Sequence, residues 1–90
     1  MRMHSLDHEN LFMGLAIELA RVAYDNDEVP VGAVIVQKRN NEVISAFSNQ
    51  MRKQRSSIAH AEMLAIQKAN KIIDNERLIG CEMFVSLEPC

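Results

Sequence analysis

Ninety residues, 48% of them hydrophobic and 24% charged, with only three glycines and two prolines, describe one small packed domain and exclude a disordered chain. The formal net charge of −2 gives no general attraction to nucleic acid, so any RNA contact has to come from a local patch. The two cysteines, Cys81 and Cys90, do not make a disulfide framework and fit a reducing cytoplasm, and no run approaches the ~20 apolar residues of a membrane span.

The first predicted element is a helix from Ser5 to Tyr24. Leu11, Phe12, Leu15, Ala16, Leu19, Val22 and Ala23 fall at the spacing of one face of a 3.6-residue repeat. Ser5 suits the N-cap, and Asp7 and Glu9 suit the positive end of the helix dipole. The same two acids rule out a signal peptide over Leu11 to Ile17, because such a peptide needs positive charge there. His4 and His8 have no ligand spacing linking them to His60 and are expected in solvent.

Asp25-Asn26-Asp27-Glu28 ends the helix, and Val29 to Val36 follows with an apolar residue at nearly every position. A half-exposed strand would alternate, so this run predicts a strand covered on both faces, with Pro30 at its start. Gly32 permits close approach either of a substrate or of neighbouring backbone, or serves simple packing against a helix. Asn40-Asn41 marks a hairpin turn within 37–42, and Val43 to Phe47 reads as a second, antiparallel strand. The segment from Ser48 to Ala59 reads as irregular and polar. Its basic cluster, Arg52, Lys53 and Arg55, is either a solvated loop or a phosphate contact.

A second helix is predicted from His60 to Ile73, and a third strand from Glu82 to Leu87. The order α-β-β-α-β implies a mixed sheet between helices, an α/β fold. Cys81 reads as a small buried hydrophobe.

Two short motifs carry chemistry. Residues two apart on a helix point in widely different directions. His60 and Glu62 can therefore serve one metal site only if His60 stands at the helix entrance, outside regular geometry, with Glu62 in the first turn. Cys90 follows Pro89 after the third strand, where a new helix can start, and a cysteine at a helix start favours the thiolate that zinc binds. A histidine and a cysteine are candidate zinc ligands, and a carboxylate beside them is a candidate general acid/base. Zinc acidifies water to roughly neutral pKa, and such a carboxylate carries its protons to a ring nitrogen and to departing ammonia. His-x-Glu followed by Pro-Cys is the front of the pattern H-x-E…P-C-x-x-C of zinc nucleobase deaminases. The second cysteine of that pattern would fall three positions beyond Cys90.

Val29-Pro30-Val31-Gly32-Ala33-Val34, then Asn49, then Ala59-His60-Ala61-Glu62, then Leu87-Glu88-Pro89-Cys90 closely resemble the bacterial tRNA-specific adenosine deaminases. The resemblance implies a cytidine deaminase-like three-layer α/β/α sandwich, of which residues 1–90 form the N-terminal α-β-β-α-β part. It further implies that His60 and Cys90 bind Zn2+, that Glu62 shuttles protons and that Asn49 contacts the base, with Val29, Pro30, Val31, Gly32 and Ala61 lining the pocket. The implied reaction is adenosine to inosine in the anticodon loop of tRNA, by a cytoplasmic homodimer. Ser56-Ser57-Ile58 departs from the Asp-Pro-Thr common in that family. A deaminase of a free nucleobase or nucleotide with the same zinc core is the nearest rival. A non-catalytic remnant or partner subunit is the second.

Overall fold

In chain order the structure, a computed structural model describing residues 2–3, 9–55, 60–73 and 78–87, runs β1 (Arg2–Met3), α1 (Glu9–Asp25), β2 (Val31–Gln37), β3 (Glu42–Ser48), α2 (Met51–Gln54), α3 (Ala61–Ile72) and β4 (Cys81–Leu87). The strands form one sheet in the order β1-β4-β2-β3. β2 is antiparallel to both β3 and β4, whereas β1 pairs parallel with β4 through Arg2 opposite Glu82 and Met3 opposite Met83. The sheet is therefore mixed.

Side chains alternate across β2, and both faces are covered. Ala33 and Ile35 pack with Ala61, Ala65 and Ala69 of α3, together with Met83 and Cys81 of β4. Val34 and Val36 pack on the opposite side with Phe12 and Ala16 of α1 and with Phe84, whose ring lies 5.5 Å from that of Phe12. One helix on each face of a sheet makes the three-layer α/β/α arrangement that the unbroken apolar run predicts.

α1 approaches the sheet through its smallest side chains. Phe12, Ala16, Ala20 and Ala23 are buried, whereas Leu11 is 74% exposed and Leu15 and Val22 are also exposed. The predicted apolar face is thus rotated: Ala16, Leu19 and Ala20 lie against β2, whereas Leu11 and Leu15 turn outward. Gly32 is the reason. A Cβ on Gly32 would sit 2.7 Å from the Ala20 nitrogen and 2.7 Å from the Leu19 Cβ, and would also strike the Ala16 carbonyl oxygen. Helix backbone occupies the space a side chain would need. Gly32→Ala should therefore destabilise the protein by about 1–3 kcal/mol, since the obstacle is backbone and cannot swing aside. At this chain length that corresponds to a fall in Tm of roughly 4–8 °C per kcal/mol, measurable by thermal denaturation followed by circular dichroism.

The Asn40-Asn41 turn forms as predicted. The Asn40 side-chain oxygen accepts the Glu42 N–H at 3.2 Å, and Asn41 adopts a left-handed conformation with φ 53°. A bulge follows, because the pairing shifts from Ile35 opposite Ser45 to Val36 opposite Val43. Two hydroxyls then tie β3 to both helices: Ser45 Oγ donates to the Ala65 carbonyl at 2.8 Å, and Ser48 Oγ donates to the Leu19 carbonyl at 2.6 Å.

Several boundaries differ from the sequence prediction, and β1 is absent from it. β2 begins at Val31 rather than Val29, with Pro30 just ahead of it. β3 runs on to Ser48 and is followed by α2, where an irregular stretch was expected. The predicted start of the first helix, Ser5 to His8, lies outside the described residues. Among the described residues no helix is long and apolar enough to cross a membrane.

Candidate active site

His60 is the N-cap of α3, with φ −73° and ψ 146°, an extended conformation. Its carbonyl accepts the Leu64 N–H at 2.9 Å and so starts the helix, while its exposed imidazole makes no capping bond to it. The histidine thus stands at the entrance, where a shared site with Glu62 requires it. Glu62 lies in the first turn of α3 and is half-buried. Its Oε1 is buried with no hydrogen-bond partner among the described residues. Ala61, between them, is fully buried against the sheet and anchors this corner.

Asn49 follows the last residue of β3 and is 2% exposed. Its backbone N–H donates to the Val31 carbonyl at 3.0 Å, which joins it to the start of β2. Neither Nδ2 nor Oδ1 of its side chain has a hydrogen-bond partner among the described residues. Burying an amide or carboxylate without a partner costs about 1–3 kcal/mol or more. Among the described residues, Asn49 and Glu62 each carry such a cost, and sequence reasoning singles out both by their chemistry.

The remaining predicted residues are placed as follows. Val31 is half-buried and packs toward α3, Pro30 is buried, and Val29 is 56% exposed. Gly32 faces α1, on the side of the sheet away from α3. Cys90, Pro89, Glu88 and Ala59 lie outside the described residues, as do His4 and His8. No group of three or more His, Cys, Asp or Glu converges among the described residues. Cys81 is buried within the core as expected, and burial pushes its thiol pKa up, away from the reactive thiolate.

A cleft of about 640 Å³ opens on the α1 side, walled by Leu19, Val22, Glu28, Phe47, Asn49 and Arg52. His60 and Glu62 do not border it. The unsatisfied polar atoms of Asn49 and Glu62, rather than this cleft as a whole, mark the chemistry. Arg52 and Lys53 are exposed on α2 at the rim, and Arg55 ends that helix in a left-handed conformation with φ 51°.

Sequence reasoning missed Glu28. It sits in the acidic run that ends α1, yet it is buried, and its carboxylate accepts the Arg52 N–H at 3.0 Å and the Lys53 N–H at 2.8 Å. The Arg52 N–H is the main reason its pKa is lowered; burial opposes the shift, and the Lys53 N–H and the Arg52 charge reinforce it. A carboxyl whose folded pKa is depressed stabilises the protein above its unfolded pKa and loses that contribution as pH falls through the folded pKa. Glu28→Gln should thus be less stable at neutral pH and should lose less stability on acidification than the parent. Urea denaturation at neutral and acid pH checks both differences.

A family model described as the cytidine and deoxycytidylate deaminase zinc-binding region matches residues 6–90. The tRNA-specific adenosine deaminase of Aquifex aeolicus is 43% identical over 79 residues, which cover 88% of this chain and 51% of that protein. Its namesake in Bacillus subtilis is 42% identical over 85 residues, covering 94% of this chain and 52% of that one. This chain spans about half the length of the curated relatives it matches. Among solved structures, one from work on A-to-I editing by tRNA:A34 deaminases at the wobble position superposes with a TM-score of 0.80 at 41% identity, covering 92% of this chain and 62% of that one. A guanine deaminase from Bacillus subtilis superposes with a TM-score of 0.77 at 32% identity, covering 90% of this chain and 51% of that one. With His60 at the mouth of α3, Glu62 in its first turn and a family match from residue 6 onward, the chain belongs to the cytidine and deoxycytidylate deaminase zinc-binding family.

Proposed function

We propose that residues 1–90 are the N-terminal part of a zinc-dependent hydrolytic deaminase that converts adenosine to inosine at the wobble position of tRNA, in a cytoplasmic homodimer. The observation that carries this reading is the pair of buried, unsatisfied polar side chains, Asn49 and Glu62. A fold keeps such groups where a ligand completes their hydrogen bonds. The donor set suits zinc, since imidazole and thiolate are its usual ligands and the His60 imidazole is not committed to capping α3. His60 and Cys90 would hold the metal, and catalytic zinc sites take three protein ligands. When bound, zinc supplies the acidification of water to roughly neutral pKa.

The chain's own residues do the rest. Glu62 takes the two protons of the attacking water in turn, passing one to the ring nitrogen and the other to the amino group, which departs as ammonia while the water oxygen becomes the carbonyl. Asn49 offers a donor and an acceptor side by side, the complement of a purine edge. Val29, Pro30, Val31, Gly32 and Ala61 supply the apolar wall and its backing. The curated relatives that favour a tRNA substrate are 43% and 42% identical. The likeness to a guanine deaminase favours a second reading, in which the substrate is a free purine.

Incubating the zinc-loaded protein, expressed from its whole reading frame, with tRNA carrying A34, with free guanine and with free cytosine separates the two readings. Inosine in digested tRNA, with little ammonia from the free bases, is expected. Ammonia from a free base alone would reverse the assignment. Asn49→Ala provides a sharper check on the site. Its stability should stay within about 1 kcal/mol of the parent, because the amide it removes is unpaired in the fold. Its KM should nevertheless rise about 10- to 100-fold, the effect of one buried hydrogen bond lost to the substrate.

A further inference from the structure

α2 has only four residues, and its N-cap residue, Gln50, caps none of its backbone N–H groups with its side chain, which instead accepts from the exposed Gln54 side-chain amide at 2.7 Å. A helix this short does not hold itself together. What holds it is Glu28, more than twenty residues earlier, whose two carboxylate oxygens take the Arg52 and Lys53 N–H groups at 3.0 and 2.8 Å. The Arg52 guanidinium returns the contact by donating to the Asp27 carbonyl at 3.1 Å. At the other end of the same seam the Asn49 N–H donates to the Val31 carbonyl at 3.0 Å. The stretch from Asp27 to Val31 is thus tied to the stretch from Asn49 to Lys53 at both ends. Between the ties lie Val29, Pro30 and the unsatisfied Asn49 amide.

We propose that Glu28 is a positioning residue for substrate binding: by gripping the start of α2 it fixes the Asn49 amide against the Val29–Val31 wall. The grip is stiff because both bonds are charge-assisted and a single side-chain rotamer makes both. None of its partners belongs to the His60–Glu62 corner. Loosening the seam therefore moves the groups that bind substrate and leaves the group that carries protons in place. The inference rests on the deaminase reading for what the wall binds.

Glu28→Gln tests it, because the glutamine keeps the shape but turns an NH2 group toward one of the two N–H donors. In the zinc-loaded protein from its whole reading frame, KM for the accepted substrate should rise about 10-fold while kcat stays within about 3-fold, the pattern of lost ground-state binding. The 15N–1H pair of the Asn49 side chain should shift or broaden in the same variant. An unchanged KM, or a fall in kcat with KM unmoved, overturns the proposal. A parent protein with no turnover on any of the three substrates strikes the deaminase reading, and the clamp is then judged on the Asn49 amide alone: resonances that stay put in Glu28→Gln overturn it. Should Glu28→Gln fail to fold, Glu28→Asp keeps the charge, withdraws the carboxylate by one methylene and carries the same two readouts.

Discussion

In the zinc-loaded protein, Glu62→Gln should lower turnover by about 100- to 10,000-fold, the range for removal of a positioned general acid/base, with bound zinc unchanged. The separation of roles follows from the geometry of α3. His60 is extended at the N-cap and Glu62 is inside the first turn, so the two side chains leave the backbone in different directions. Glu62 also has a buried oxygen without a partner among the described residues. His60→Ala should behave differently and lose zinc and turnover together, because it deletes a ligand from a set that needs three. Metal analysis of the purified variants, beside single-turnover rates, reads both quantities. Loss of zinc from Glu62→Gln would make Glu62 a ligand and sink the assignment.

The second large effect concerns the 90 residues by themselves: purified with added zinc, they should form no inosine on tRNA. His60 and Cys90 are the two zinc ligands proposed for them, one short of a catalytic zinc site. The apolar surface points the same way. Leu11, Val22, Ile72 and Leu87 are all about half exposed or more. Covering each such side chain contributes about 1.5–3 kcal/mol, against a typical total stability of ~5–15 kcal/mol. Sedimentation velocity, zinc content and nucleoside analysis of one preparation give the answer. A monodisperse, stoichiometrically zinc-loaded chain with turnover would overturn the expectation and show that another residue or a second copy completes the site.

The placement of the candidate residues at the start of α3 was legible in the sequence because it depends on short spacings. The placement of His60 at a helix entrance follows from the divergence of neighbouring side chains on a helix, and α3 begins at Ala61 as that requires. The burial of β2 on both faces follows from its unbroken apolar run, and the Asn40-Asn41 turn from its residues. What the sequence concealed depends on distant contacts. α2 has no local reason to form, since its cap arrives from Glu28. The buried stripe of α1 could not be told from its leucine-rich flank, because the choice is made by a glycine on another element. Glu28 itself looked like one acid among several in a polar break, and only its burial sets it apart.

The strand order has a consequence for how the chain reaches this state. β4, the last described strand in sequence, is inserted between β1 and β2, two strands that precede it. The β2–β3 hairpin closes over a few residues and can form as soon as it leaves the ribosome, but the other edge of β2 has to wait. Its permanent neighbour is synthesised 44 to 56 residues later, from Cys81 opposite Gln37 to Leu87 opposite Val31. Pairings of such separation are slow, because a long loop must close before any contact rewards it. Throughout that interval the nascent chain presents an apolar strand with an unsatisfied hydrogen-bonding edge, the feature that recruits like strands from other molecules. The order that places β4 inside the sheet thus leaves the completion of that sheet to its longest-range pairing.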